Sequence, residues 1–211
     1  MVTADGHLVR ADLEHESDLF WALRGGGSFA VVTALEFRLF PPSGAYAGIL
    51  WYPIERASEV LHAWGRLTRG TVPDELTTIG RILNFPPIPQ IPEPVRGKSF
   101  VIVEAYHTRD RAQADALLAP LRTLGPVNDT ITTVPMAALS HLHMDPEQPV
   151  PGASDGMMIG SLPAEAIDAF VNAAGPGAAF PLLTAEIRHL SGEFARPAPA
   201  TARWPASTPA T

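Results

Sequence analysis

Three consecutive glycines, Gly25 to Gly27, followed by Ser28, are the residues whose types and spacing point most directly to a ligand. Glycines allow close approach of the backbone, and successive amides can form a concave anion-binding loop. A helix-like apolar run precedes the glycines and a strand-like run follows them. This order excludes a P-loop and a dinucleotide fingerprint, because in both motifs a strand leads through glycines into a helix N-terminus.

The sequence around the glycines also predicts where the preceding helix and the following strand begin and end. Ser17 or Asp18 is predicted to cap the helix, and Gly25 to end it in a left-handed conformation. From Phe29 to Phe40 the apolar residues are dense at first and then alternate, which is typical of a strand buried on two faces and later on one. The alternative interpretation of the glycines is a flexible joint between the helix and this strand.

A family resemblance rests on these residues. The run DLFWALRGGGSFAVVTALEFRLFP, preceded by VTADGHLVRAD, resembles the second half of the FAD-binding domain of the FAD-linked oxidases of the vanillyl-alcohol oxidase, p-cresol methylhydroxylase and berberine-bridge-enzyme type. One glycine of the family pattern is missing, and its Asn-Phe-Gly is Ser28-Phe29-Ala30 here. The resemblance implies FAD as cofactor. The positions that it places beside the cofactor are Gly25, Gly26, Gly27, Ser28, Phe29, Val31 and Val32.

The resemblance also implies a function. In that family, the half of the FAD-binding domain that grips the pyrophosphate precedes the segment that begins here at Val2, and another flavin-contacting segment follows. We therefore expect an incomplete FAD-dependent oxidoreductase that oxidises small alcohols, sugars or amines by hydride transfer to the flavin. The alternatives are a truncated non-catalytic relative, one part of a two-chain flavoenzyme, and a ferredoxin-like ligand-binding module.

The composition of the chain limits the classes of partner that it is expected to bind. The formal net charge is −7 and no cluster of Lys and Arg is present, which argues against nucleic acid. The chain contains no cysteine, so it can form neither disulfides nor a cysteinyl-flavin link. No apolar run approaches the roughly 20 residues that span a membrane. We expect a cytoplasmic protein with a small-molecule substrate, no bound metal, and a partner chain or self-association through the apolar strand around Val31 to Phe40.

We expect an α+β fold in three parts. The resemblance implies that residues 1–42 are the C-terminal portion of a PCMH-type FAD-binding domain. The pattern predicts a ferredoxin-like antiparallel sheet with helices on one face for residues 43–194 and a disordered Pro/Ala-rich tail for residues 195–211. Within the second part, strands are predicted at 47–53, 76–83, 99–107, 129–134, 156–159 and 182–190, and helices at 56–68, 111–124, 136–143 and 164–174.

Catalytic candidates come from the sheet face that the helices leave free. In the resembled enzymes the corresponding sheet roofs the flavin ring and supplies bases, and Glu186 or His189 is a candidate for that role. The simpler interpretation is an ion pair of Glu186 with Arg188 and a hydrogen-bonded, half-buried His189. The alternating residues His141, His143 and Asp145 would form a metal site only on a strand, and the segment instead resembles a helix end.

Overall fold

The computed structural model describes residues 1–24, 29–39, 44–108, 111–145, 152–178 and 182–196. The chain divides into two compact units, a smaller one of residues 1–41, 158–160 and 191–211, and a larger one of residues 42–157 and 161–190. The predicted domain limits stay a prediction, and the predicted disordered tail lies outside the described residues from residue 197 onward.

The smaller unit begins with a tight hairpin and one helix. Val2 bridges Leu8 across the predicted turn, where Gly6 has a φ of 84° and its N–H donates to the Thr3 carbonyl at 2.9 Å. The helix α1 follows at Ser17–Leu23. The predicted cap is wrong, because Ser17 and Asp18 already lie inside the helix and the preceding Glu16, at φ 44°, forms no side-chain capping bond. Gly25 lies outside the described residues.

The strand predicted from Phe29 to Phe40 does not form over the described residues 29–39. Only Val31 is bridged there, through two hydrogen bonds with Val2 of 2.8 and 2.9 Å. The later apolar residues Leu35 and Phe37 are 79% and 72% exposed. The physical reason is that apolar alternation alone does not make a strand, since each backbone N–H and C=O in a sheet needs a neighbouring strand to pair with.

The larger unit is built on one antiparallel sheet, as predicted. Its strands lie side by side in the order β4-β1-β3-β2-β6, with β5 also paired to β1. The predicted β-α-β-β-α-β order is confirmed. The strands are β1 (Ala45–Pro53), β2 (Leu76–Asn84), β3 (Ser99–His107), β4 (Asn128–Asp129), β5 (Thr132–Val134) and β6 (Thr184–Arg188), and the helices are α2 (Ala57–Arg69), α3 (Arg111–Arg122) and α4 (Ala164–Ala174).

Short 3-10 helices complete the described elements, at Ile54–Arg56, Met136–His141 and Gly192–Phe194. The helix predicted at 136–143 is therefore a 3-10 helix. The strand predicted at 156–159 is absent, since Met157 is 87% exposed and no strand pairs with this segment in the described part of the chain. No helix among the described residues is both long and apolar enough to cross a membrane. The cytoplasmic location stays a prediction.

The main core lies between the sheet and the helices α2 and α3. Trp64 of α2 is 1% exposed, and its indole N–H donates to Thr78 Oγ1 of β2 at 3.0 Å. Tyr52 of β1 is fully buried, and its hydroxyl donates to the Leu121 carbonyl of α3 at 2.9 Å. Burial raises the pKa of Tyr52 to about 12. These aromatic side chains and the buried aliphatic residues around them supply the driving force for packing helices on this face.

The opposite sheet face is not entirely free. Residues 136–145 cross it, and Leu142 packs beside a second buried apolar cluster of Ile49, Leu83 and Ile102. Trp51, Phe85 and Phe100 extend this cluster with one stacked and two edge-on ring contacts. A ligand on this face therefore meets a surface that is already partly covered.

Gly48 in β1 lies opposite the interruption that divides the single strand predicted at 129–134 into β4 and β5. The backbone of Thr130 and Ile131 crosses so closely that a Cβ at residue 48 would lie 2.5 Å from it. Thr130 uses its hydroxyl as well as its backbone to bond Ile49 there. Since β4 and β5 keep the same register with β1, no residue is inserted between them, and residues 130–131 approach a position that only glycine fills without a clash.

Replacing Gly48 by Ala is expected to lower the free energy of unfolding by about 1–3 kcal/mol, because the added methyl group meets backbone atoms that cannot rotate away. Gly156→Ala is the matched control, since a Cβ at residue 156 has nothing within 4 Å. Urea unfolding followed by tryptophan fluorescence measures both variants. Equal stability of Gly48→Ala and Gly156→Ala would refute this account of the close approach at Gly48.

Candidate functional site

The sheet face opposite α2 and α3, called the pocket face below, carries the candidate site. Side chains alternate along each strand, so one set from β2, β3 and β6 points to this face. Its chemistry-bearing members from these strands are Thr77, Arg81, Glu104, Tyr106, Thr184, Glu186 and Arg188.

Arg81 and Glu104 form a buried ion pair at the centre of the pocket face. They are 4% and 3% exposed, and Arg81 Nη1 donates to Glu104 Oε1 at 2.9 Å. Each is the one Arg, Lys, Asp or Glu of its strand, β2 or β3. Because an isolated buried charge is strongly unfavourable, the two residues depend on each other for burial.

Arg81 also reaches two other elements. Its Nε donates to Thr184 Oγ1 of β6 at 2.8 Å, and its Nη1 donates to the backbone carbonyl of His143 at 2.8 Å. The guanidinium therefore connects β2, β3 and β6 with the segment that follows the 3-10 helix Met136–His141. A planar guanidinium with several donors suits such multiple bonding.

His143 lies between two carboxylates. Its Nδ1 hydrogen-bonds to Glu104 Oε2 at 3.0 Å, and its Nε2 lies 3.2 Å from Glu186 Oε2. The second contact is close but not aligned as a hydrogen bond, and Glu186 Oε2 is buried without a hydrogen-bond partner among the described residues. This oxygen is thus an unused proton acceptor beside a histidine, the type of arrangement that general acid–base catalysis requires.

Glu186 carries the predicted ion pair as well. Its Oε1 accepts from Arg188 Nε at 2.7 Å and lies 2.6 Å from Arg188 Nη2. The simpler sequence interpretation of Glu186 is therefore correct for one oxygen, while the other oxygen faces His143. We call Arg81, Glu104, His143, Glu186 and Arg188 the carboxylate–histidine cluster.

A cavity of about 350 Å³ adjoins this cluster; Glu104, His143 and Arg188 line it, whereas Arg81 and Glu186 lie behind its lining. It lies between residues 139–145 and the sheet. The volume is near the lower end of the range for small-molecule sites, which is about 300–1,000 Å³. The remaining lining residues are Thr77, Ile79, Tyr106, Leu139, Leu142 and Asp145. Hydroxyl, carboxylate and guanidinium groups thus line a cavity with an apolar floor.

His189, the second catalytic candidate, is not part of the cluster. Strand alternation places it with Ile187 on the opposite face. Its backbone N–H donates to the Thr78 carbonyl at 3.2 Å. Its Nδ1 is buried without a hydrogen-bond partner among the described residues, so the predicted hydrogen-bonded ring is not found for this atom. Burial lowers the pKa of His189.

The predicted cofactor residues are only partly described. Gly25, Gly26, Gly27 and Ser28 lie outside the described residues. Phe29, Val31 and Val32 are 55%, 69% and 45% exposed, so their apolar side chains are accessible. The backbone N–H and C=O of Val31 both bond Val2, which leaves side-chain contact as the way in which Val31 can meet a ligand.

The possible metal ligands His141, His143 and Asp145 do not converge. His141 ends its 3-10 helix in an exposed position, whereas His143 bonds Glu104. Among the described residues, no group of three His, Asp or Glu side chains is arranged to hold a metal ion.

Arg81, Glu104 and Tyr106 were not predicted as site residues. Arg81 and Glu104 left a signal in the sequence, since single opposite charges in two otherwise apolar strands must pair if both strands are buried.

Comparison with known proteins gives several relatives that are named FAD-linked oxidoreductases or oxidases. The FAD-linked oxidoreductase azaG of Aspergillus niger is 32% identical over 144 residues, which are 66% of this chain and 28% of that protein. The FAD-linked oxidoreductase aurO of Gibberella zeae is 40% identical over 77 residues, 36% of this chain and 15% of that protein. The xylooligosaccharide oxidase of Thermothelomyces thermophilus is 37% identical over 82 residues, which are 36% of this chain and 16% of that protein.

No family model matches the chain. The matched region spans less than a third of the length of each of these three relatives. The alignments therefore concern a segment of a larger type of protein.

The buried ring of His189 predicts a pH dependence of stability. Its pKa in the folded protein is below the ordinary value of 6.5, so the unfolded chain binds its proton first as the pH falls. The stability associated with neutral His189 is complete above the ordinary pKa and is lost as the pH falls through the lowered one.

The variant His189→Asn removes this contribution. Its free energy of unfolding is expected to fall less than that of the natural protein between pH about 8 and about 5, the interval in which histidines titrate. His141→Asn is the control because His141 is exposed. Urea unfolding at both pH values measures the difference. Parallel losses in the natural protein and His189→Asn would contradict the prediction.

Proposed function

We propose that the chain, which is similar to segments of FAD-linked oxidoreductases, provides the substrate-binding sheet and part of the FAD-binding region of an FAD-dependent oxidoreductase. The observation that carries this proposal is the carboxylate–histidine cluster beside a cavity on the pocket face. Small hydroxylated or amine-bearing molecules are the proposed substrates. Such molecules suit a cavity lined by Thr77 and Tyr106.

The described residues fit FAD in their chemistry. Phe29, Val31 and Val32 present accessible apolar side chains, which suit the flat aromatic rings of a flavin or an adenine. They directly follow the glycines, whose lack of side chains suits close backbone contact with a cofactor. When bound, FAD supplies the acceptor for a hydride.

Glu186 is the proposed proton acceptor. With FAD bound, the hydride of a substrate C–H bond would pass to the flavin, and the proton of the attached hydroxyl would reach Glu186 Oε2 through His143, which lines the cavity, as a C=O bond forms. This oxygen is buried and has no hydrogen-bond partner among the described residues, so accepting the proton breaks no existing hydrogen bond there. With its Nδ1–H donated to Glu104, the neutral His143 ring has a free lone pair on Nε2, which can accept a proton and pass it to Glu186 Oε2, 3.2 Å away.

The cluster also restricts where the substrate can lie. Glu104 and Arg81 are engaged with each other and with His143, so neither has to bind substrate to remain paired. Leu139, Leu142 and residue 145 border the cavity on the side away from the sheet. Exclusion of water by these residues would strengthen the electrostatic effect of His143 on Glu186.

Gly26→Val tests the cofactor site. A branched side chain in the glycine loop is expected to raise the Kd for FAD at least about tenfold, since the close approach of the backbone is lost. Gly156→Val, at an exposed position with open space around it, is the control. Isothermal titration with FAD measures both.

The same titration separates the alternatives. Unchanged FAD affinity in Gly26→Val would leave the glycines as a joint. A natural chain that binds no FAD would overturn the proposed function for this chain and favour the non-catalytic relative or the ferredoxin-like binding module.

Glu186→Gln tests the proton acceptor. Removing the general base is expected to slow anaerobic flavin reduction by a xylooligosaccharide or a simple alcohol by about 10²–10⁴-fold, with FAD affinity unchanged. Glu165→Gln makes the same chemical change at an exposed position on α4 and should leave the rate unaltered. Stopped-flow absorbance of the FAD-loaded protein records the rates. Equal rates for the two variants would remove Glu186 from the mechanism.

A further inference from the structure

We propose that Arg81 is a positioning residue, whose buried guanidinium holds the segment 142–145 against the pocket face and thereby places His143 beside Glu186. The importance of this placement for proton transfer rests on the proposed function. The placement itself requires neither FAD nor substrate, so it can be tested independently.

The segment 142–145 needs such a residue because the sheet does not hold it by strand pairing. In the described part of the chain, it follows a 3-10 helix and belongs to no ladder. Its contacts with the sheet are made by Leu142 in the apolar cluster, by the His143 ring and by the His143 carbonyl. Of these, the bond to the carbonyl is the one that fixes the backbone, and Arg81 donates it.

The backbone conformation beside this bond supports the same role. Met144 has a φ of 57°, a left-handed conformation that residues with a side chain rarely adopt. Its N–H donates back to the His141 carbonyl at 3.2 Å. A disfavoured turn of this kind persists only where surrounding contacts determine it, and the Arg81 bond lies at the preceding residue.

Arg81 is suited to the task by its shape as well as its charge. Nε is committed to Thr184 and Nη1 to both Glu104 and the His143 carbonyl, so one rigid plane fixes the mutual placement of β3, β6 and the segment. Across the sheet, Arg81 pairs in register with Glu186, although Arg81 Nε lies 4.0 Å from Glu186 Oε2. Arg81 therefore does not occupy the oxygen that faces His143.

Stability alone does not account for burying this pair. Replacing a buried ion pair by uncharged side chains is often neutral for folding, whereas removing one partner is strongly destabilising. A variant that removes the Glu104 charge together with the Arg81 guanidinium avoids the cost of an unpaired buried charge. It therefore separates the effect of Arg81 on folding from its effect on the position of the segment 142–145.

The experiment compares Arg81→Met, the double variant Arg81→Met/Glu104→Gln, and Glu104→Gln alone. Arg81→Met is expected to lower the folding equilibrium constant about a hundredfold or more, because Glu104 is left as an unpaired buried charge. In the double variant the amide that replaces the Glu104 carboxylate is neutral and still offers an acceptor to His143, so about tenfold or more of that loss should be recovered. Urea unfolding measures these constants.

Two local readouts then test placement in the double variant. Amide hydrogen exchange at residues 142–144 is expected to be about tenfold or more faster than in Glu104→Gln, because a backbone hydrogen bond has been lost, while exchange in β3 follows the global stability. The nuclear Overhauser effect between the His143 ring and the Glu186 side chain should be present in Glu104→Gln and absent in the double variant.

Arg188→Met is the control for a general loss of positive charge. Arg188 is 58% exposed in its side chain and bonds Glu186 rather than the segment. This variant should keep slow exchange at 142–144. The proposal is overturned if the double variant keeps both the slow exchange and the Overhauser effect, or if Arg188→Met releases the segment equally. A chain that binds no FAD would overturn the proposed function and leave these readouts unchanged.

Discussion

The pocket face depends on the pairing of Arg81 with Glu104. Both charges lie beneath the surface, and neither can remain there without the other. Once they are paired, Glu104 has a second oxygen for the His143 ring, and Arg81 has further donors for Thr184 and the His143 carbonyl. The cavity and the free oxygen of Glu186 follow from that arrangement. The mutual requirement of two buried charges thus organises an otherwise apolar sheet face.

The helix-covered face fixes the position of this pair. The Trp64 indole donates to the Thr78 hydroxyl, which in turn donates to the backbone carbonyl of Glu104 at 2.8 Å. A buried aromatic residue of α2 is thereby connected with the strand position that carries the carboxylate. The apolar core provides stability and the pocket face carries the polar chemistry, a division expected for an antiparallel sheet with helices on one side.

Much of the larger unit could be predicted from sequence periodicity. The bounds of β3 and α4 follow directly from the runs 99–107 and 164–174, because each has a consistent period and clear flanking residues. The strand prediction for residues 29–39 was wrong, because apolar alternation does not show whether a neighbouring strand exists to pair with them. The close approach of residues 130–131 to Gly48 was not predicted for the same reason, because it is a tertiary contact that the local sequence does not encode.

The candidate site was predicted only in part. Glu186 was a candidate because of the family resemblance together with strand alternation, and its pairing with Arg188 follows from the alternation alone, which is a local property. The approach of His143 was not predictable, since it depends on where residues 136–145 cross the sheet. A lone Arg in β2 and a lone Glu in β3 did contain the information that they must pair, and this signal applies to any sheet with one buried charge in each of two strands.

The central proposal is that the pocket face binds substrate beside FAD. Amide and methyl chemical shifts of the isotopically labelled chain, recorded during titration with FAD, test it most directly. The account predicts progressive shifts at Thr77, Ile79 and Tyr106 on the pocket face, with little change along α2 on the other face. Saturation with FAD that leaves the pocket-face resonances in place, or that moves only those of α2, would contradict it.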